Sequence, residues 1–296
     1  MSLARARGPG HPDKVCDAVA ANIVEEYLKR DPAAQMNIRV CGGQGVMFVA
    51  GEVKSTADFD VSAVVRRTVA ACGVSESVEP FITIEPMAPA WAPEIGSRDV
   101  VTVMGYATSQ TPERLPPIVV LAQKIAAELE RSRISDPDWF WLGSDYEVTV
   151  EDASKPWSIN LRAEHADGQD VDSVRRQLES LVRQQAPDAT LKINPAGEET
   201  CAGLSVRIGS SGRTSSADQY GTTLPANESG VGRHLNHPLN AGAELARQTA
   251  IKLVNQGRGQ AILVNMVWQP LEARPGGVRA RNEKGEDLTR LIDGAF

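Results

Sequence analysis

Gly10-His11-Pro12-Asp13-Lys14 stands directly before a helical stripe, and each residue in it has a possible chemical use. A helix N-terminus exposes free N–H groups and positive potential, which favour phosphate. His11 and Lys14 offer contacts to phosphate oxygens, and Asp13 offers a carboxylate oxygen to Mg2+. The same residues also describe an ordinary helix start, with proline in the first turn and an acid favoured by the dipole. Five residues alone favour that plainer description. Glu52, which ends a hairpin after Gly51, and Asp99, which precedes the apolar run Val100–Met104, are open to two descriptions as well. Either carboxylate could hold an amino group, or simply face solvent at the edge of a strand.

The stretch from Gly209 to Asn240 is different. It runs through Gly209-Ser-Ser-Gly-Arg213, Asp218-Gln-Tyr-Gly221 and Gly230-Val-Gly-Arg233-His234-Leu-Asn236-His237-Pro238. About thirty polar, glycine-rich residues without periodicity are too many for a mere connector. Guanidinium grips phosphate bidentately, so Arg213 and Arg233 suggest a phosphate-handling loop. The spacing of His234 and His237 is compatible with a metal, but no third ligand stands nearby.

The elements that must position these groups come from the rest of the pattern. The chain has 296 residues, 42% apolar and 23% charged, with a formal net charge of −7. That is the make-up of a globular protein with a substantial core, and not of a disordered, collagenous or coiled-coil chain. The acidic balance argues against a general nucleic-acid binder. No apolar run approaches a membrane span, and Met1–Arg7 has no apolar signal-peptide region, so a cytoplasmic protein is expected. Cys16, Cys41, Cys72 and Cys201 form no zinc-type spacing and sit in or beside apolar segments, which predicts buried reduced thiols.

Apolar residues at every third or fourth position predict helices at Val15–Tyr27, Val61–Cys72, Pro116–Leu129, Val171–Val182 and Pro238–Leu253. Hairpins are predicted at Asn37–Val53, turning at Gly42–Gly45, and at Tyr146–Ala163. Single strands are expected near Phe81–Glu85, Thr190–Asn194 and Gln260–Trp268. Helix, hairpin, helix, strand thus occurs twice, and an abbreviated third copy starts at Pro238 and closes on a short helix around Asp287–Ile292. The fold class expected is α+β, built from repeated modules with no flexible linker between them: about 10–90, about 115–197, and 198–296 with the phosphate-binding loop and the abbreviated copy.

Gly10-His11-Pro12-Asp13-Lys14-Val15-Cys16-Asp17 resembles the opening motif of the S-adenosylmethionine synthetases (methionine adenosyltransferases). The resemblance continues in order through Gly51-Glu52-Val53, Asp99 with Met104-Gly105-Tyr106-Ala107-Thr108, Ile193-Asn194-Pro195-Ala196-Gly197, Gly212-Arg213 and Asp218-Gln219-Tyr220-Gly221. Gly232-Arg233 resembles the family's glycine-lysine loop. The matches span about residues 8 to 270. They imply three similar modules around a pseudo-threefold axis, and a homodimer with active sites between subunits. The implied reaction is attack of the methionine sulfur on C5′ of ATP, expelling triphosphate that is then cleaved to pyrophosphate and phosphate, with Mg2+ and often K+ assisting.

By that resemblance His11 contacts the leaving-oxygen side of the triphosphate, Asp13 binds Mg2+, and Lys14, Arg213, Asp218, Arg233 and His237 belong to the ATP and phosphate side. Glu52 and Asp99 hold the amino group of methionine. No general base is needed, because a thioether has no proton to remove.

The departures concern mostly charge. Gly8-Pro9 replaces a serine-glutamate pair before the motif. Gly143-Ser144-Asp145 stands where a lysine is expected before the second hairpin, and Thr214 where a second lysine is common. Arg233 replaces the loop lysine, and His237 or Asn236 stands in for the lysine and metal-binding aspartate that follow it. No K+-binding glutamate has a counterpart around Arg39. The active-site loop (Pro86–Ile95) is reduced and the third module trimmed. Each lost charged contact is worth roughly 1.5–3 kcal/mol. Three readings follow: an adenosyltransferase acting on methionine or a related thioether, a same-fold enzyme with other nucleotide or triphosphate chemistry, or a non-catalytic subunit completing a partner synthetase in a hetero-oligomer. The first is preferred, since a phosphatase has no use for Glu52 and Asp99.

Overall fold

A computed structural model describes residues 2–89, 96–153, 155–225 and 228–292. The five striped segments form α1 (Pro12–Arg30), α2 (Val61–Ala71), α3 (Pro117–Ser135), α4 (Val171–Gln185) and, after a short α5 (Ser215–Tyr220), α6 (Pro238–Asn255). The hairpins are β2 (Gln35–Gly43) with β3 (Val46–Lys54), and β6 (Leu142–Glu151) with β7 (Ser158–His165). Strands β4 (Glu79–Pro86), β8 (Thr190–Ile193) and β10 (Ala261–Trp268) lie where expected. The apolar run after Asp99 forms β5 (Val101–Thr108). Three strands escaped the pattern: β1 (Leu3–Arg7), β9 (Gly209–Ser210) and β11 (Gly277–Asn282).

The strands form three sheets with a recurring order: β9-β2-β3-β4, β1-β6-β7-β8 and β5-β10-β11. Each sheet contains a hairpin whose first strand also pairs antiparallel with a strand from a distant part of the chain. In the first two sheets a helix then returns the chain to a strand parallel to the second hairpin strand, α2 between β3 and β4 and α4 between β7 and β8. The helix starts recur as well. Asp60 and Asp170 cap α2 and α4 by accepting N–H three residues on, at 3.0 and 2.9 Å. Helices α1, α3 and α6 each begin with proline, after His11, Pro116 and His237.

One face of each sheet carries alternate apolar residues against its helices. Met36, Ile38, Val40, Met47 and Val49 meet Val15, Val19, Ile23, Val64 and Val65 in the first core. Tyr146, Val148, Leu161 and Ile159 meet Ile125, Leu129 and Leu178 in the second. Ile262, Val264 and Met266 meet Ala246, Ala250 and Leu253 in the third. Gly105 lets α6 lie directly on β5, since a Cβ there would come within 2.1 Å of the Ala246 carbonyl carbon.

The opposite face of the first sheet is open. Phe48 and Phe81, paired in register on β3 and β4, stack at 5.2 Å with exposures of 52% and 51%. The same alternation corrects the expectation for the cysteines. Cys16 and Cys72 are buried, and burial pushes their thiols up to about 12 and about 11. Cys41, on the outward face of β2, and Cys201, in a turn, are exposed. All four are free. No described helix is long and apolar enough to cross a membrane.

Candidate functional site

The predicted site residues collect at the two ends of β2. At one end, the pairing of β1 with β6 continues past the strand: Gly8 donates to the Tyr146 carbonyl at 2.8 Å and Gly10 to the Ser144 carbonyl at 3.0 Å. This lays His11 against the second sheet just as α1 begins. His11 is the N-cap of α1, its Nδ1 accepting the Asp13 N–H at 3.2 Å. Burial, assisted by Arg7 and Arg207 and opposed by Asp145 and Asp13, lowers its pKa to about 4. The neutral ring therefore carries its proton on Nε2, which lies 3.9 Å from Glu147 at the wall of a cleft of about 380 Å³.

Asp13 is buried in the first turn of α1, with Oδ1 accepting the Ser210 N–H at 3.0 Å. Gly209 makes that approach possible, because a Cβ there would stand 2.1 Å from the Pro12 carbonyl oxygen. One turn on, Asp17 accepts the Gly212 N–H at 2.6 Å. These two carboxylates fix the segment that presents Arg213, whose guanidinium is 3.7 Å from Asp13 with a side chain 68% exposed. Lys14 does not line this cleft; it is 3.1 Å from Asp218, which also binds Arg7. Asp218 thus acts as a counter-ion between two cations.

Sequence reasoning missed Arg5, Arg7, Glu147 and Arg207, which complete the cleft with His11, Asp13 and Arg213. Arg7 donates to Glu147 at 2.7 Å and to Asp218. Burial opposes its charge, but the two carboxylates outweigh it and raise its pKa. The alternation of Ala and Arg in Leu3–Arg7 was the available signal: both arginines lie on one side of β1 and the alanines on the other.

At the other end of β2 is a cleft of about 140 Å³ lined by Glu52, Asp99, Arg233, His234, His237, Asn37 and their neighbours. Glu52 on β3 is directly opposite Asn37 on β2. The edge of β2 that takes β9 at residues 41–42 takes the 230–234 segment here. Asn37 bridges Arg233, Ile38 donates to the Gly232 carbonyl at 2.7 Å, and Met36 donates to His234 Nδ1 at 3.3 Å. Asn240, in the first turn of α6, donates to the carbonyls of Gly230, Arg233 and His234, which fixes the bend. Asp99 is anchored by its own N–H to Ser97 Oγ at 3.1 Å.

His237 caps α6 as His11 caps α1, with Nδ1 accepting the Leu239 N–H at 3.1 Å. Burial first, then Arg233 and His234, lower its pKa to about 3. Its Nε2 thus carries the proton, and faces the Arg233 guanidinium at 3.5 Å. Two donors face each other across that gap. Burial and the neighbouring Arg39 also lower the pKa of Arg233, while Asp99, Glu228 and Glu52 oppose the shift.

The segment of residues 209–240 reaches both clefts. It contains β9 and α5, and delivers Arg213 to the first cleft and Arg233 with His237 to the second. From Asn37 to Gly42 is five residues of β2, about 16 Å at 3.3 Å per residue. The two clefts share no lining residue. Asn236 is exposed beside the second cleft. Residues 90–95 of the reduced loop lie outside the described residues.

Known proteins show the same order of parts. Residues 4–87 match the model of the S-adenosylmethionine synthetase N-terminal domain, and residues 94–199 that of the central domain. The S-adenosylmethionine synthase of Pseudothermotoga lettingae is 27% identical over 308 aligned positions, which cover 90% of this chain and 78% of that protein. The two matched domains carry His11, Asp13, Glu52 and Asp99, the residues that open both clefts, and on these grounds the chain belongs to the S-adenosylmethionine synthetase family.

Proposed function

We propose that this protein is a methionine adenosyltransferase, in which the sulfur of methionine or a related thioether attacks C5′ of ATP and expels the triphosphate. The observation that carries the proposal is the amphoteric second cleft. Glu52 and Asp99 bring two carboxylates to it, and Arg233 and His237 bring a guanidinium and an imidazole that face each other at 3.5 Å. That is the complement of an α-amino acid: carboxylates for the ammonium group, guanidinium and imidazole N–H for the carboxylate. In this reading Arg233 and His237 serve the amino acid rather than the triphosphate, and holding both ends of it orients the sulfur.

The first cleft suits the triphosphate. His11 Nε2–H is a neutral donor set among guanidiniums, directed where negative charge develops on the leaving oxygen. Among the described residues no three His, Cys, Asp or Glu side chains gather to hold a metal by themselves. Mg2+ needs no such cluster, since one or two carboxylates, substrate phosphates and water suffice. Asp13 fits that role: Oδ1 is engaged by the Ser210 N–H, with the Arg213 guanidinium at 3.7 Å, while Oδ2 lies 4.0 Å from His11 Nδ1. Mg2+ held there would screen the triphosphate charge. No residue is assigned to K+; Arg39, donating to the Val231 carbonyl at 2.5 Å, places a fixed cation on β2 instead.

A spacing of about 16 Å along β2 favours sites shared between two copies, each contributing one cleft. The open, aromatic face of the first sheet supports a homodimer formed through that face. The common strand order supports three modules about a pseudo-threefold axis. ATP as co-substrate supports a cytoplasmic place of action. Incubation with ATP, Mg2+ and methionine, read by mass spectrometry, should yield S-adenosyl sulfonium together with triphosphate, or pyrophosphate plus phosphate. Phosphate release that ignores methionine would replace the reading with triphosphate hydrolysis.

A further inference from the structure

Asp145 is in β6, at the segment where the family resemblance leads one to expect a lysine, and its side chain is 1% exposed. Arg162 donates to its Oδ1 at 2.6 Å, Arg207 donates to its Oδ2, and Gly203 N–H donates to Oδ2 at 2.7 Å. Its own N–H donates to Glu164 at 3.1 Å. Burial works against the charge on Asp145, but Arg162 and Arg207 more than offset it and lower its pKa. One carboxylate thus holds two guanidiniums. Arg162 also has Glu199 at 3.7 Å, whereas no second acid is paired with Arg207 among the described ion pairs.

Arg207 is in a different position from the other cations of the first cleft. Arg7 is bound by Glu147 and Asp218 with its side chain only 6% exposed, Arg5 has Glu147 at 3.9 Å, and Arg213 has Asp13 at 3.7 Å without a hydrogen bond. Arg207 is held from behind by a buried acid, and its side chain keeps 38% exposure at the wall that carries His11 and Arg213. A guanidinium has five donors in a planar fork, so one edge can be anchored while the other stays available to an anion.

We propose that Arg207, aimed by Asp145, is a triphosphate-binding residue that restores from the strand-β9 side the positive charge missing from residues 143–145 of β6. Asp145 is then a positioning residue and does not touch the substrate. This rests on the assignment of the first cleft to the triphosphate, but does not depend on whether a sulfonium is formed.

Inorganic tripolyphosphate is the probe that separates the two. Its binding to the full chain with Mg2+, measured by calorimetry, should weaken at least tenfold in Arg207→Gln, with KM for ATP rising in parallel and KM for methionine unchanged. Asp145→Asn, which keeps an acceptor for Gly203 N–H, should weaken tripolyphosphate in the same direction by a smaller factor. Arg207→Lys, with the charge but not the fork, should lie between Gln and the parent. Unchanged tripolyphosphate affinity in Arg207→Gln, or no binding to the parent, overturns the proposal. So does an equal rise of both KM values with a lower melting temperature, which would make the pair a structural brace. A parent that binds tripolyphosphate through Arg207 but forms no sulfonium would overturn the adenosyltransferase reading alone.

Discussion

His11 and His237 perform the same local task in two different units of the fold. Each is the N-cap of a long helix, with φ and ψ of −61° and 131° at His11 and −64° and 138° at His237. Each precedes a proline, and each accepts the N–H two residues on through Nδ1, at 3.2 and 3.1 Å. This use of Nδ1 directs Nε2–H outward in both cases, toward Glu147 in one cleft and Arg233 in the other. A cap that any serine or aspartate could make is made instead by a residue that also gives each cleft a neutral donor.

Replacing His11 by Asn separates those tasks, because Asn is a good N-cap but its side chain ends short of Nε2. His11→Asn is expected to keep its far-UV circular dichroism and its melting temperature at pH 8. Sulfonium formation should fall by about 10²–10³, the usual loss for one donor to a developing anion. A variant with near-parental turnover would remove His11 from the reaction.

The two rings also set a pH dependence of stability. Both pKa values are depressed, to about 4 and about 3, against 6.5 in an unfolded chain. Between pH 6.5 and 4 the unfolded chain therefore binds protons that the folded one does not. Their contribution is complete above pH 6.5 and is lost as the pH falls through that window. Near pH 5 two protons correspond to a slope of about 2.7 kcal/mol per pH unit. Urea unfolding should give a stability about 4 kcal/mol lower at pH 5 than at pH 7, a difference reduced by about half in His237→Asn.

Glu52 and Asp99 should act on one substrate only. Glu52→Gln and Asp99→Asn each remove a charge-assisted contact worth roughly 1.5–3 kcal/mol, so the methionine KM should rise by about 10–150-fold. Tripolyphosphate affinity should be unchanged. Steady-state kinetics with each substrate varied in turn, beside calorimetry, provide the check. Loss of tripolyphosphate binding would show that the clefts do not divide the substrates in this way.

Gly105→Ala tests how the third sheet is packed. The added methyl would meet the Ala246 backbone at 2.1 Å, with no flexible side chain to yield. Overpacking of this kind costs about 1–3 kcal/mol and occasionally more. The melting temperature is expected to drop by several degrees, at about 2–4 °C per kcal/mol for a chain of this size. An unchanged value would mean that α6 is not held against β5 as described.

The sequence was readable where one segment carries its own reason for its structure. Val15, Val19, Ile23 and Tyr27 mark α1 by spacing alone, and all four are buried. His11, Asp13 and Arg213 were expected together through their motifs, and they line one cleft. The failures are the elements defined by a partner. Leu3-Ala-Arg-Ala-Arg7 has little apolar surface, and is a strand because its alanines fit under α3 and its backbone pairs with β6. Gly209–Ser210 is a strand of two residues, made by the edge of β2. The division of Arg213 from Arg233 was equally hidden, since both stand in the same polar, aperiodic stretch. Only the length of β2, which receives that stretch at both ends, separates them.

The way each sheet recruits its remote strand also has a consequence for how the protein is made. Residues 3–7 are made long before their partner and have none until residues 147–151 follow. Residues 101–108 wait for 261–268. The first sheet itself is not edged until residues 209–210 arrive. During most of translation, therefore, the nascent chain carries unpaired strand edges, and folding is completed late through contacts of long sequence separation. The same threading means that a gene fragment encoding one copy of the repeat would encode a sheet with a bare edge, in need of a strand that only the remainder of the chain provides.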